Sequence, residues 1–180
     1  MRELQDTENG DAPFPIKYFA VCPNKWTFQS EKIKNWCESH LNGRVLNACA
    51  GKTNLDHSGE VVRNDIDATI DAEYHVDVCE ISKHVDGKFD TIIYDPPFSE
   101  FQSNVSYGGR MVGKDAAAKR EFNDILRAGG KVIQFGFTTT CMPGEFDYKR
   151  REVAIFNTLG RMNDWLGTVD ERMSSDVTDY

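Results

Sequence analysis

Apolar positions along the chain fall into two periodicities. In "SEKIKNWCESHLNG", Ile33, Trp36, Cys37, His40 and Leu41 recur at spacings of three and four and share one face of a helix. Ser30 is placed to cap its N-terminus, and Gly43 can stop it in a left-handed conformation. A second helix is predicted in "DAAAKREFNDILRAGG", with Ala118, Phe122, Ile125 and Leu126 as its stripe and Gly129-Gly130 as its stop. The remaining apolar runs are short: "RVLNACAG", "EVVRNDID", "EYHVDVCEI", "FDTIIYDPP" and "GGKVIQFGF". Each is broken at its C-terminal end by polar or turn residues, as buried strands are. Strands alternating with helices imply βαβ units and a parallel sheet. The last two strands, in "REVAIFNTLGRMNDWLGTVDERM", lack room for a parallel crossover, which takes about a dozen residues. They are expected to form an antiparallel hairpin at the sheet edge. The architecture read from the pattern is α/β and Rossmann-like, mostly parallel with a C-terminal antiparallel hairpin.

Length and composition bound this picture. The chain has 180 residues, 39% of them hydrophobic, which suits one domain over 16–180 with a substantial core. The segment before it, 1–15, has neither a basic nor an apolar stretch of the secretory kind and reads as a polar, mobile tail. No apolar run reaches the roughly 20 residues of a membrane span, so no membrane partner is expected. The five cysteines (Cys22, Cys37, Cys49, Cys79 and Cys141) are scattered, with no C-x-x-C, so no metal site is expected. Cys37, Cys49 and Cys79 fall in apolar patterns and read as small core residues of a reducing, cytoplasmic protein. The oligomeric state is open, because the faces carrying Trp36 and Trp165 suit a partner or the chain's own core equally.

Charge is unevenly placed. The net charge is -8, and the segment from Asp56 to Asp95 alone has 11 acids against 3 bases, leaving 18 of each elsewhere. A globally basic nucleic-acid footprint is therefore absent. Only small basic clusters remain, such as Arg110/Lys114 and Lys149/Arg150/Arg151.

Ligands of open α/β sheets sit beyond the carboxyl ends of the strands, which directs attention to the polar residues there. "VLNACAGKTNL" is a strand followed by a turn of small residues; Ala48, Ala50 and Gly51 allow close approach to the backbone. It is not a P-loop, since Leu46 stands where that motif needs glycine. Asp65, with Asp67 as its competitor, follows the next strand and suits the two hydroxyls of a ribose. Asp77 ends or interrupts the third strand, where a carboxylate can accept from an adenine amino group. Asp95 precedes Pro96-Pro97. Proline fixes its own φ and holds its predecessor extended, so Asp95-Pro96-Pro97-Phe98 is a stiff projecting segment. One carboxylate and one carbonyl on a rigid frame match the two hydrogens of a planar amino group, and Phe98 offers a ring on which a base can stack.

The set "VLNACAG", Asp65, Asp77 and "DPPF" resembles the class I S-adenosyl-L-methionine (SAM)-dependent methyltransferases. Within these it is similar to the group that methylates exocyclic amines of nucleic-acid bases. The resemblance implies SAM as cofactor, held by Asn47, Ala48, Gly51, Asp65, Asp77 and Trp26, the last from a segment that folds over the cofactor. It implies Asp95, Pro96 and Phe98 as catalytic residues, and a nucleic-acid partner contacted by Phe98, Phe101, Tyr107 and Arg110. The expected activity is transfer to adenine N6 or cytosine N4, with DNA placed ahead of ribosomal or transfer RNA. A protein glutamine methyltransferase and a non-catalytic SAM-binding partner subunit are the other readings.

Overall fold

The computed structural model describes residues 13–22, 24, 26–97, 115–161 and 163–174. They form β1 (Ile16–Ala20), a 3-10 turn (Thr27–Gln29), α1 (Glu31–Glu38), β2 (Val45–Asn47), β3 (Val61–Arg63), a 3-10 segment (Val78–Lys83), β4 (Phe89–Tyr94), α2 (Asp115–Ile125), β5 (Leu126–Gly136), β6 (Tyr148–Asn157) and β7 (Trp165–Arg172). The strands make one seven-stranded sheet in the order β1-β6-β7-β5-β4-β2-β3. Every pairing is parallel except those of β7, which runs antiparallel to both β5 and β6.

Alternation along the central strands sends side chains into two apolar cores, one on each face of the sheet. Leu46, Ile92 and Val132 pack with Ile81, Phe122 and Ile125. Val45, Ile93, Ile133 and Phe135 pack with Ile33, Trp36 and Cys37 of α1. In the second core Phe135 meets Phe28 and Trp36 edge-on, with centroids 5.3 and 5.7 Å apart. Such pairs are worth roughly 0.5–1.5 kcal/mol beyond their buried area. Trp36 and Trp165 are both buried within this chain. No helix among the described residues is long and apolar enough to cross a membrane.

Four expectations from the pattern are corrected. The C-terminal hairpin forms, but it is not the sheet edge, because β1 pairs with β6 outside it. Phe19 stacks on Phe156 at 5.4 Å, and Lys17 reaches Glu152 at 3.0 Å, which gives this otherwise exposed strand its reason to dock. The run "EYHVDVCEI" is not a strand; Tyr74 makes an isolated bridge to Asn64, and the chain turns into the 3-10 segment at Asp77. There the Asn64 side chain, not a neighbouring strand, satisfies the Val76 N–H and carbonyl. The helix α1 stops at Glu38, and Ser30 makes no side-chain cap. Gly43 is left-handed (φ 54°) as expected but lies beyond the helix end, and a second constraint also requires glycine there: a Cβ would lie 2.2 Å from Asp90 Oδ2. Finally, α2 ends at Ile125, and Gly129-Gly130 lie inside an irregularity of β5 opposite Phe89 and Thr91.

Candidate functional site

From β2 the chain moves outward to β3, then returns on the other side of β2 to place β4 and β5. The order of the parallel strands therefore reverses between β2 and β4, and the carboxyl ends there open a crevice. Asn47 closes β2 and is paired in register with Ile93; Asp95 follows two residues later, just past the end of β4. Asn47 is 1% exposed, yet neither its Nδ2 nor its Oδ1 has a hydrogen-bond partner. Asp95 Oδ1 is likewise buried and unpartnered. An unsatisfied buried polar atom costs about 1–3 kcal/mol, so three at one crevice call for a ligand that completes them.

Burial pushes the Asp95 carboxyl up from 3.8 to about 7, opposed by a hydrogen bond with the Thr27 side chain. Thr27 comes from the turn before α1, a residue that sequence reasoning missed. Nothing in the local sequence couples a threonine there to a carboxylate 68 residues on. Pro96 and Pro97 are half-buried beside Asp95. Phe98, Phe101, Tyr107 and Arg110 lie outside the described residues.

The turn after β2 is held from several directions. The Ala48 N–H donates to the Ile93 carbonyl at 2.9 Å, and the Ala50 N–H to the Asn64 carbonyl at 2.9 Å. Gly51 is left-handed (φ 56°), and a Cβ on it would meet Trp26 Cε3 at 3.2 Å. The Trp26 indole thus covers this turn, with Lys52 Nζ 6.0 Å from its ring centroid. Asp65 is buried, and its oxygens take backbone donors: Gly51 N–H at 2.9 Å and Asp67 N–H at 3.0 Å. In this structure it ties the turn after β2 to the end of β3. Asp67 is half-buried and accepts from Thr69 N–H at 2.9 Å, a bond that holds its carboxyl below the ordinary value. Asp77 caps the 3-10 segment, accepting from Cys79 N–H at 3.0 Å. Asn64 also escaped the sequence reading. Fully buried, it donates to the Ala48 and Val76 carbonyls at 3.0 and 3.1 Å, clamping the turn after β2 to the stretch before Asp77.

Cys49 shows that these pieces converge. Burial pushes its thiol well up, and the next contributions come from Asp65, Asp95 and Asp77 in that order. All three carboxylates are therefore near enough to Cys49 to act on its thiol. Among the described residues, no group of three or more His, Cys, Asp or Glu could hold a metal ion.

No protein-family model and no curated protein matches the sequence. Solved structures do match the fold. TrmN from Thermus thermophilus has a TM-score of 0.57 at 14% identity, covering 80% of this chain and 49% of its own. An rRNA methylase from Streptococcus thermophilus has 0.53 at 11%, covering 85% of this chain and 100% of its own. A methyltransferase homolog protein from Pyrococcus horikoshii has 0.50 at 10%, covering 73% and 61%. The chain thus spans about half of TrmN. At these identities the likeness establishes the fold, the Rossmann-like α/β sheet of class I methyltransferases.

Proposed function

We propose that this chain is a SAM-dependent methyltransferase that acts on an exocyclic amino group of a nucleic-acid base. The observation that carries the reading is the buried, unpartnered Asp95 Oδ1 at the switch point, in front of two prolines and beside the equally unpartnered Asn47. RNA is placed ahead of DNA here, because one structural neighbour is an rRNA methylase.

The crevice fits the cofactor. Asn47 offers both a donor and an acceptor with no protein partner, which suits the amino-acid end of such a molecule. The Gly51 turn leaves no room for a side chain under Trp26, as a backbone approached closely requires. Asn47, Ala48, Gly51 and Trp26 would hold the cofactor, with Asp65 or Asp67 toward its ribose and Asp77 toward its adenine. Bound there, SAM supplies a methyl group on a positively charged sulfonium.

The chain's own residues do the positioning. The nitrogen of a base amine is a poor nucleophile, because its lone pair is delocalised into the ring. Asp95 Oδ1 accepts one N–H and the Pro96 carbonyl the other, which favours a pyramidal nitrogen with its lone pair directed into the crevice. The substituted nitrogen carries one proton too many, and that proton passes to Asp95. A carboxyl pushed up to about 7 holds a proton near neutral pH, as a transient acceptor must. A base in a duplex has to be flipped out to reach it.

The test is label transfer from tritiated SAM to ribosomal RNA, total RNA, ribosomes and duplex DNA in separate reactions, with the modified nucleoside identified by mass spectrometry. Asp95→Ala is expected to lower transfer by about 100-fold or more. Label in no nucleoside from any pool sinks the reading; undiminished transfer by Asp95→Ala removes Asp95 from the chemistry. Label in DNA alone reverses the order of the two nucleic acids.

A further inference from the structure

We propose that Phe137 is the far wall of the acceptor site and stacks on the base whose amine Asp95 holds, which rests on the base-amine reading above. Strands β4 and β5 are parallel neighbours, with Ile93 opposite Ile133 and Tyr94 opposite Gln134. Ile93, Ile133 and Phe135 all enter the core on the α1 side of the sheet. Carrying the register forward puts Asp95 level with Phe135 on that side. Phe137 lies just past the end of β5, and continuing the alternation one step puts it on the same face. Two residues of rise at about 3.3 Å and one strand spacing of about 4.8 Å separate Asp95 from Phe137 by about 8 Å. That is the reach of a base whose amine lies at Asp95 and whose ring extends outward.

The exposure pattern agrees. Phe135 is fully buried beneath Phe28 and Trp36, which closes the floor. Phe137 is 37% exposed, a large apolar residue outside the core. Among the described residues, the other exposed large apolar ones lie on the edge strand (Ile16 and Tyr18) or past β6 (Leu159). Beyond Phe137 the chain continues through exposed Thr138, Thr139 and Thr140, and Arg150 Nη2 fixes this turn by donating to the Thr139 carbonyl at 2.7 Å. Arg150 is itself anchored on the buried Asp170. The ring is thus carried on a braced segment, as a stacking platform needs.

The experiment uses a short single-stranded RNA containing one 2-aminopurine, and its DNA counterpart, titrated with the full chain while fluorescence is followed. Stacking quenches this base. The wild-type chain is expected to quench one or both probes; Phe137→Leu should weaken binding about tenfold and lose most of the quench, while Phe137→Trp keeps both. Calorimetric affinity for SAM and the melting temperature of the Leu variant serve as folding readouts and should stay at wild-type values. Absence of a quench with the wild-type chain, or wild-type binding and quench by Phe137→Leu, overturns the assignment. The base-amine reading is read separately: Asp95→Ala abolishing transfer while Phe137→Leu stacks normally defeats only the wall, whereas intact transfer by Asp95→Ala defeats the reading beneath it.

Discussion

Asp95→Asn should stabilise the protein by an amount that grows as pH rises from about 4 to about 7 and is constant above. The carboxyl moves from 3.8 to about 7 because burial disfavours its charged form. Between those values the folded chain binds a proton that the unfolded chain has released, so stability falls as pH rises through the window. At about 1.36 kcal/mol per pH unit, the full cost of ionising Asp95 in the folded state is on the order of 4 kcal/mol, reached above pH 7. Below 3.8 it vanishes, because the side chain is neutral in both states. Asparagine matches the neutral form in shape and keeps an oxygen for Thr27. For a chain of this size, 1 kcal/mol corresponds to about 2–4 °C in melting temperature, so the variant should melt about 10 °C above wild type at pH 8. At pH 4 the two should coincide. The assay is thermal unfolding by circular dichroism of both proteins, without cofactor, at half-unit steps from pH 4 to pH 8. Other titrating groups are common to both and cancel in the difference. A gap that is constant with pH would refute the reasoning, since it would mean that Asp95 ionises as freely in the crevice as in water.

Gly51→Ala combines a left-handed φ of 56° with a Cβ 3.2 Å from Trp26, and should cost about 1–2 kcal/mol; calorimetry should also find weaker SAM binding, as Trp26 is displaced from the turn. Glu152→Gln should cost about 1–3 kcal/mol at pH 7, because Glu152 accepts from Trp36 Nε1 at 2.6 Å and pairs with Lys17 at 3.0 Å and His40 at 3.2 Å. Burial pushes this carboxyl up, but those donors outweigh burial and hold it below 4.5. Its contribution is therefore present above 4.5 and lost as pH falls through the lower folded value, so the melting-temperature gap between Gln variant and wild type should close in acid.

Much of the sheet was legible because its central strands are buried on both faces. "FDTIIY" and "KVIQF" read as strands with no help from partners, and β4 and β5 follow them closely. What could not be read was set by distant contacts. "IKYFA" has no apolar alternation of its own; its value as a strand comes from Phe156 and Glu152, far along the chain. The acidic run around Asp77 has strand-like residues, but Asn64 takes up its backbone groups, and only the folded register shows that. Similarly, Gly43 signals a left-handed turn in sequence, but that Asp90 from β4 also excludes any side chain there shows only in the fold.

The site was more legible than its wiring, for a physical reason. Carboxylates at strand ends and a double proline are local features, and the sequence displays them. Their partners are not local. Thr27 on Asp95, Gly51 on Asp65 and Asn64 on Ala48 each join separate elements. Satisfaction of polar groups then separates scaffold from site. Asn64, Asp65, Thr91, Glu152 and Asp170 are buried, and each has protein partners. Asn47 at the end of β2 is as buried, and Asp95 just past β4 is half-buried with its Oδ1 buried, yet both have buried atoms without them. Gln134 Oε1 is also unpartnered, but Gln134 is paired in register with Tyr94, and alternation sends its side chain to the face opposite Asp95. A sequence that can satisfy Glu152 with three donors could equally have replaced Asn47 with a leucine, at a gain of a few kcal/mol by the cost of orphaned polar atoms. Three of the buried polar atoms that keep this cost, two on Asn47 and one on Asp95, stand where strand order reverses, and that coincidence of energetic penalty with topology is the strongest physical argument for a ligand in the crevice between β2 and β4.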